Sequence, residues 1–217
     1  MLTLKAAEVR VLGALIEKGT TTPEHYPLSL NALVNACNQK SSRDPVMELS
    51  EAEVRTALFE LENLGLVRVL ADARVSKFEH LAYDRLGLRR PGIAVLGLLL
   101  LRGPQTTAEL RARAERMYAF DDAAAVTATL ERMAAREEGG DAGGPLVVQM
   151  ARQPGARESR WMHRLGGEAE GISTGERSDS ASSSSGRSIG ERMATLEQLL
   201  QTLEERVKAL EGIVRSS

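Results

Sequence analysis

The sequence predicts a mainly α chain with small β-hairpins, an α+β class, in which one helical plan occurs twice and a further helix follows. Three observations predict it. Val11–Gly19 and Val95–Gly103 share the pattern V-L-G-x-L-[IL]-x-[KR]-G. Each copy is followed by the same succession of two more helix starts and two short β-like runs. Beyond residue 188 the apolar residues fall into an unbroken heptad seam. Three helices and then a hairpin is the winged-helix order. The expectation is therefore two tandem winged-helix domains at 1–85 and 86–165, a Gly/Ser-rich linker at 166–188 and a coiled-coil helix at 189–215.

The elements follow in order. Each repeat motif reads as an apolar helix that ends in a basic residue and a capping glycine, Gly19 or Gly103. The second helix starts at Ser29 in the first copy. In the second copy it starts at Thr106, where Glu109 completes a capping box that satisfies two orphan backbone donors. The first copy carries about seven additional residues here, Thr21–Pro27. The third helix opens at Ser50 with its own capping box to Glu53, and Val54, Leu58, Leu61 and Leu64 lie at helical spacing. Its counterpart opens at Asp121–Asp122, with Val126, Leu130 and Met133. Strand-like runs follow at Leu66–Leu70 and Phe78–Leu81, and again at Leu146–Met150 and Arg160–His163.

Composition narrows the function classes. Aromatic residues make up only 3% against 42% hydrophobic, so the core is built of aliphatic side chains, which suits helix packing. The net charge is −2, without the basic excess of a strong nucleic-acid binder. Residues 86–165, however, hold 12 basic against 9 acidic side chains. One cysteine, Cys37, allows no internal disulfide and points to a reducing, cytoplasmic setting. The longest apolar run, Ile93–Leu101, is far short of the roughly 20 residues of a membrane span, and no secretory signal is evident.

The C-terminal third changes character. Of the 25 residues from Gly166 to Gly190, 14 are Gly or Ser, a composition expected to stay disordered. Ile189, Met193, Leu196, Leu200, Leu203, Val207, Leu210 and Val214 then alternate by four and three. This seam predicts a homodimer through Met193, Leu196, Leu200, Leu203, Val207 and Leu210, against the plainer reading of a helix packed on its own body.

The segments Leu30–Pro45, Arg74–His80, Leu100–Arg111 and Arg152–Arg160 resemble the YceH-like proteins, an uncharacterised bacterial family. The resemblance covers about residues 1–165 and implies the tandem winged-helix fold and a cytoplasmic bacterial protein. It implies no activity. The Gly/Ser linker is longer than the family's pattern.

Catalysis has little support. His25, His80 and His163 are scattered without metal-ligand spacing, no phosphate loop or paired carboxylates occur, and Cys37 reads as a small buried hydrophobe. The expectation is a protein that is not an enzyme and takes no cofactor or metal. Two binding roles remain, and the first, a DNA-binding or regulatory protein, is favoured because the wings and the polar loop put positive groups at several exposed places. One is contact with double-stranded DNA at weak sequence preference. Its candidates are Asn38, Gln39, Lys40 and Arg43 in one polar loop, Arg74 and Lys77 on the first wing, Arg113, and Arg152, Arg157 and Arg160 on the second wing. The other is a protein partner. Its support is the third helix of the first copy, where Glu51, Glu53, Glu60 and Glu62 face Arg55 alone, a charge that repels phosphates.

Overall fold

The computed structural model describes residues 2–71, 75–137 and 144–166. Its elements run α1 (Ala6–Thr21), β1 (Leu28–Ser29), α2 (Leu30–Cys37), α3 (Glu51–Asn63), β2 (Val67–Leu70) and β3 (Lys77–His80). They continue with α4 (Ala82–Arg85), α5 (Arg90–Arg102), α6 (Thr107–Ala114), α7 (Ala123–Ala134), β4 (Val147–Gln149) and β5 (Trp161–His163). The fold is a mixed α/β one, with helices around two small antiparallel sheets. The predicted linker beyond Gly166 and the heptad seam, including the six dimer residues, lie outside the described residues.

Local chemistry sets the helix starts. The Ser29 hydroxyl accepts from Ala32 N–H, the Asp122 carboxylate accepts from Ala125 N–H, and Ser50 and Thr106 each form a full capping box. Gly103 ends α5 at φ +66°, a left-handed geometry that suits glycine. Gly19 does not end α1, contrary to the sequence expectation, because the helix runs two residues further to Thr21. The hydroxyls of Thr20, Thr21 and Thr22 bond back to the carbonyls of Ile16, Glu17 and Lys18 and satisfy the last turn instead. The short helix α4 and strand β1 carry too few residues for a periodicity signal.

The two halves share one sheet plan. In the first, β2 and β3 form a hairpin with Val67 opposite His80, and β1 adds to the outer side of β3 with Leu28 opposite Phe78. In the second, β4 and β5 pair with Val147 opposite His163. There Gln105, just before the α6 cap, takes the place of β1: its N–H and C=O both bond to Trp161, at 3.0 and 2.7 Å. Phe78 and Trp161 thus occupy matching positions, and both are buried.

The halves are joined by α1 crossing α5. Leu12, Leu15, Ile16, Leu96, Leu99 and Leu101 are fully buried, and the hydrophobic core runs unbroken through both copies. Helices that are apolar nearly all round are buried ones, which is why the run Ile93–Leu101 can be so hydrophobic. The repeated glycine of the motif makes the crossing possible. A Cβ at Gly97 would lie 2.7 Å from Ile16 Cγ2, and one at Gly13 would lie 3.1 Å from Leu100 Cβ. Ile16 and Leu100 are themselves equivalent positions in the two copies, so the contact is pseudo-symmetric. At the edge of the body Leu4 N–H bonds to Leu165 C=O at 2.6 Å, tying the start of the first copy to the end of the second.

Candidate functional site

The polar loop after α2 is the most heavily bonded segment of the molecule, and it faces inward. Asn38 closes α2, and its amide grips the Leu49 backbone in both directions, each bond 2.8 Å. Arg43 is buried and its guanidinium links the loop to α1 and α2. Nε and Nη2 donate to Ala36 C=O, Nη1 and Nη2 take the Glu17 carboxylate at 3.1 and 2.7 Å, and Nη2 also meets Gln39 Oε1 at 2.9 Å. Ser42, at φ +61°, lies in left-handed backbone held by Arg43 Nη1 on its carbonyl and Arg102 Nη2 on its hydroxyl. Arg10 reaches in from α1 to Cys37 C=O at 3.0 Å and Pro45 C=O at 2.5 Å. Asp44 N–H bonds to Leu101 C=O of α5.

The electrostatics match. Burial pushes the Glu17 carboxyl up, but the hydrogen bonds and charge of Arg43, with Lys18 adding, more than offset this and hold it below the usual carboxylate range. Burial, with the neighbouring Arg43 charge, depresses Arg10. The Cys37 thiol between them is pushed up to about 12 by burial, so the thiolate that a nucleophile needs is strongly disfavoured.

This corrects part of the predicted nucleic-acid set. Asn38, Gln39 and Arg43 are spent within the first copy, while Ser42 and Asp44 tie the loop to Arg102 and Leu101 of α5, and Arg43 has no guanidinium edge left for a phosphate. Lys40 alone of that group is exposed without a bonded partner. Arg160 is likewise committed, to Pro104 C=O at 2.8 Å and Glu109 at 3.1 Å. Arg113 binds Gln105 Oε1 at 2.7 Å. Arg111 donates to Asp121 C=O at 2.9 Å. Lys77, Arg152 and Arg157 stay exposed and unpaired among the described residues; Arg74 lies outside them.

The outer face of α3 is different. Ala52, Arg55, Thr56, Phe59, Glu62 and Asn63 are exposed at helical spacing. Phe59, in the middle, is 62% exposed, an aromatic ring on a helix whose other side packs Val54, Ala57, Leu58 and Leu61 into the core. Arg55 is spent on Glu51 at 2.8 Å and Glu53 on the Ser50 cap, which leaves Glu62, one turn on, as the free carboxylate of the Phe59 face. The acidic residues are plain in the composition of the helix; the signal for the ring is its spacing, which sets Phe59 with Ala52, Arg55, Thr56 and Glu62 and off the Val54–Leu58–Leu61 stripe.

Two histidines, His80 and His163, lie in the strands. His80 ends β3, with its ring between Tyr26 and Tyr83 at centroid distances of 6.1 and 5.5 Å. Burial lowers both His80 and His163 to about 4. Because these values lie below those of the unfolded chain, the unfolded state takes up protons first as the pH falls. Stability should therefore drop between about pH 6.5 and 4, by up to about 2 kcal/mol per histidine from pH 7 to pH 5. Urea unfolding at the two pH values measures the drop, and an H80Q/H163Q variant should flatten it. A wild-type midpoint that is the same at both would refute the assignment.

Among the described residues no helix is long and apolar enough to cross a membrane, and no cluster of three His, Cys, Asp or Glu could hold a metal. Residues 4–156 match the family described as "Protein of unknown function, DUF480". Similar proteins include a UPF0502 protein of Dechloromonas aromatica, 46% identical over 214 residues that cover 97% of this chain and 94% of the relative. One from Pelobacter propionicus is 47% identical over 213 residues, with 97% and 94% covered. One from Azotobacter vinelandii is 52% identical over 161 residues, 74% of this chain and 69% of the relative.

Proposed function

The chain belongs to the DUF480 family of uncharacterised bacterial UPF0502 proteins, and from that premise we propose that it is a non-enzymatic protein-interaction module of two tandem winged-helix halves. Helix–strand–helix–helix–hairpin order in the first half, with Gln105 standing in for the first strand of the second, supports the winged-helix reading.

One observation carries the choice of role. The helix that would enter a DNA groove in such a fold is α3, and it presents Phe59 beside Glu62 on an outer face of a helix that carries Glu51, Glu53, Glu60 and Glu62 against Arg55 alone. Carboxylates there repel phosphates, whereas a desolvated aromatic anchor inside a charged rim is how protein interfaces concentrate their energy. A single exposed ring is ordinary on a protein surface; its position at the centre of this helix gives it weight. The partner reads as a protein with an apolar pocket bordered by Lys or Arg.

Phe59→Ser should leave folding intact, because the ring is mostly in water, and should cost about 2 kcal/mol or more of partner affinity. The measurement is quantitative affinity capture from a cell extract on immobilised full-length chain, wild type against Phe59→Ser and Glu62→Lys. Proteins retained equally by all three would overturn the reading.

Exposed, unpaired Lys40, Lys77, Arg152 and Arg157 favour a second reading, weak backbone contact with duplex DNA. Titration of random-sequence duplex at two salt concentrations distinguishes it. Salt-sensitive binding at about micromolar affinity that an R152Q/R157Q variant flattens would replace the first reading with this one.

A further inference from the structure

We propose that the cavity between the start of α5 and the last turns of α7 binds a phosphate-bearing small molecule, with Arg89 and Arg132 as its anion ligands. The cavity measures about 480 Å³, within the range of small-molecule sites. Arg89, Arg132 and Arg136 line it from two separate helices, and its described lining holds no Asp or Glu. Arg89 and Arg132 have neither an ion pair nor a hydrogen bond among the described residues, so two guanidinium groups open on one space without a counter-charge. An anion in that space would gain charge-assisted hydrogen bonds from both guanidinium groups.

The backbone adds to the same field. The first bond of α5 runs from Ile93 N–H to Arg89 C=O, so the N–H groups of Arg90 and Gly92 precede the ladder, and no side chain caps them. A cation at this cap sits at the positive end of the helix dipole, which an anion in the cavity would offset. Leu88, Pro91 and Met133 supply the apolar part of the wall, beside Gly87, Gly92 and Thr129. A lining of arginines together with apolar side chains fits a phosphate joined to a flat or apolar body, the chemistry of a mononucleotide, better than free phosphate. The site lies away from α3 and does not depend on the role given to that helix.

The test is calorimetric titration of the full-length chain, in low-salt chloride buffer, with inorganic phosphate, pyrophosphate and adenosine monophosphate. The expected result is saturable binding of the mononucleotide at one site per chain, tighter than phosphate. Arg89→Gln and Arg132→Gln should each weaken it about tenfold or more, with unchanged melting because both side chains are exposed. An R152Q/R157Q variant should bind as the wild type does. No heat with any probe up to millimolar concentration would overturn the proposal, and so would full binding by the R89Q/R132Q double variant. Binding of random duplex DNA that the double variant loses, with no mononucleotide binding, would show that the cavity serves a polymer backbone and would equally overturn it.

Discussion

Replacing Arg43 with methionine should destabilise the protein by about 3–5 kcal/mol, the cost of removing one partner from a buried ion pair. The side chain is fully buried, and the Glu17 carboxylate it holds is only 15% exposed. Methionine fills the stem but leaves Ala36 C=O without its two donors and Glu17 with Lys18 alone, 3.4 Å away. Arg43→Lys should recover little of the loss. An ammonium cannot place five donors in one plane, and here the fork reaches four different residues at once. Glu17→Leu combined with Arg43→Met should be less unstable than Arg43→Met by itself, since an apolar pair leaves no charge unpaired. Thermal unfolding followed by circular dichroism reads all three. A loss of under about 1 kcal/mol in Arg43→Met would mean that the loop is held by its other bonds, and the account of Arg43 would be wrong.

Gly97→Val should be comparably damaging, through packing instead of charge. Its Cβ would lie 2.7 Å from Ile16 Cγ2, and that methyl sits on a β-branched side chain with little rotamer freedom in a helix. The two helices must then separate along the most buried part of the core, at a cost of about 3 kcal/mol or more, the upper end of overpacking. Alanine tests the same contact more finely. Gly→Ala gains about 1 kcal/mol of helix propensity at either motif glycine. Gly97→Ala should nevertheless be destabilising, while Gly13→Ala, whose closest neighbours are Leu101 side-chain atoms at 3.0 Å, should be milder. Ile16→Ala should lessen the cost of Gly97→Ala in a double-mutant cycle, because it removes the methyl that collides. Equal effects at the two glycines would argue against the tight crossing.

Several elements were legible in the sequence for local reasons. Ser29, Ser50, Thr106 and Asp122 act as caps through bonds that close within three residues, so composition at those positions suffices. The strand-like runs at 66–70 and 146–150 needed only β-branched residues between polar loops. The repeat itself was visible because both copies bury the same helix face. The site was less legible. Lys40 and Arg43 are both basic residues in a polar loop, yet one lies in water and the other is buried. Nothing within three residues of Arg43 announces Glu17, which lies on α1. Arg160 and Glu109, 51 residues apart, pose the same problem on the second half.

By itself the sequence determined which segments are helices and hairpins, that one plan is used twice, and that Cys37 is a core residue. Those depend on hydrogen bonds and burial patterns that close over one to four residues. Only the tertiary structure decided that the motif glycine serves the α1–α5 crossing, that the Asn38–Arg43 loop turns inward, that Phe59 faces water, and that Arg89 and Arg132 open on one cavity. Each of these depends on which distant surface a side chain meets, and residue type fixes what a guanidinium or a methyl can do without fixing what it will touch.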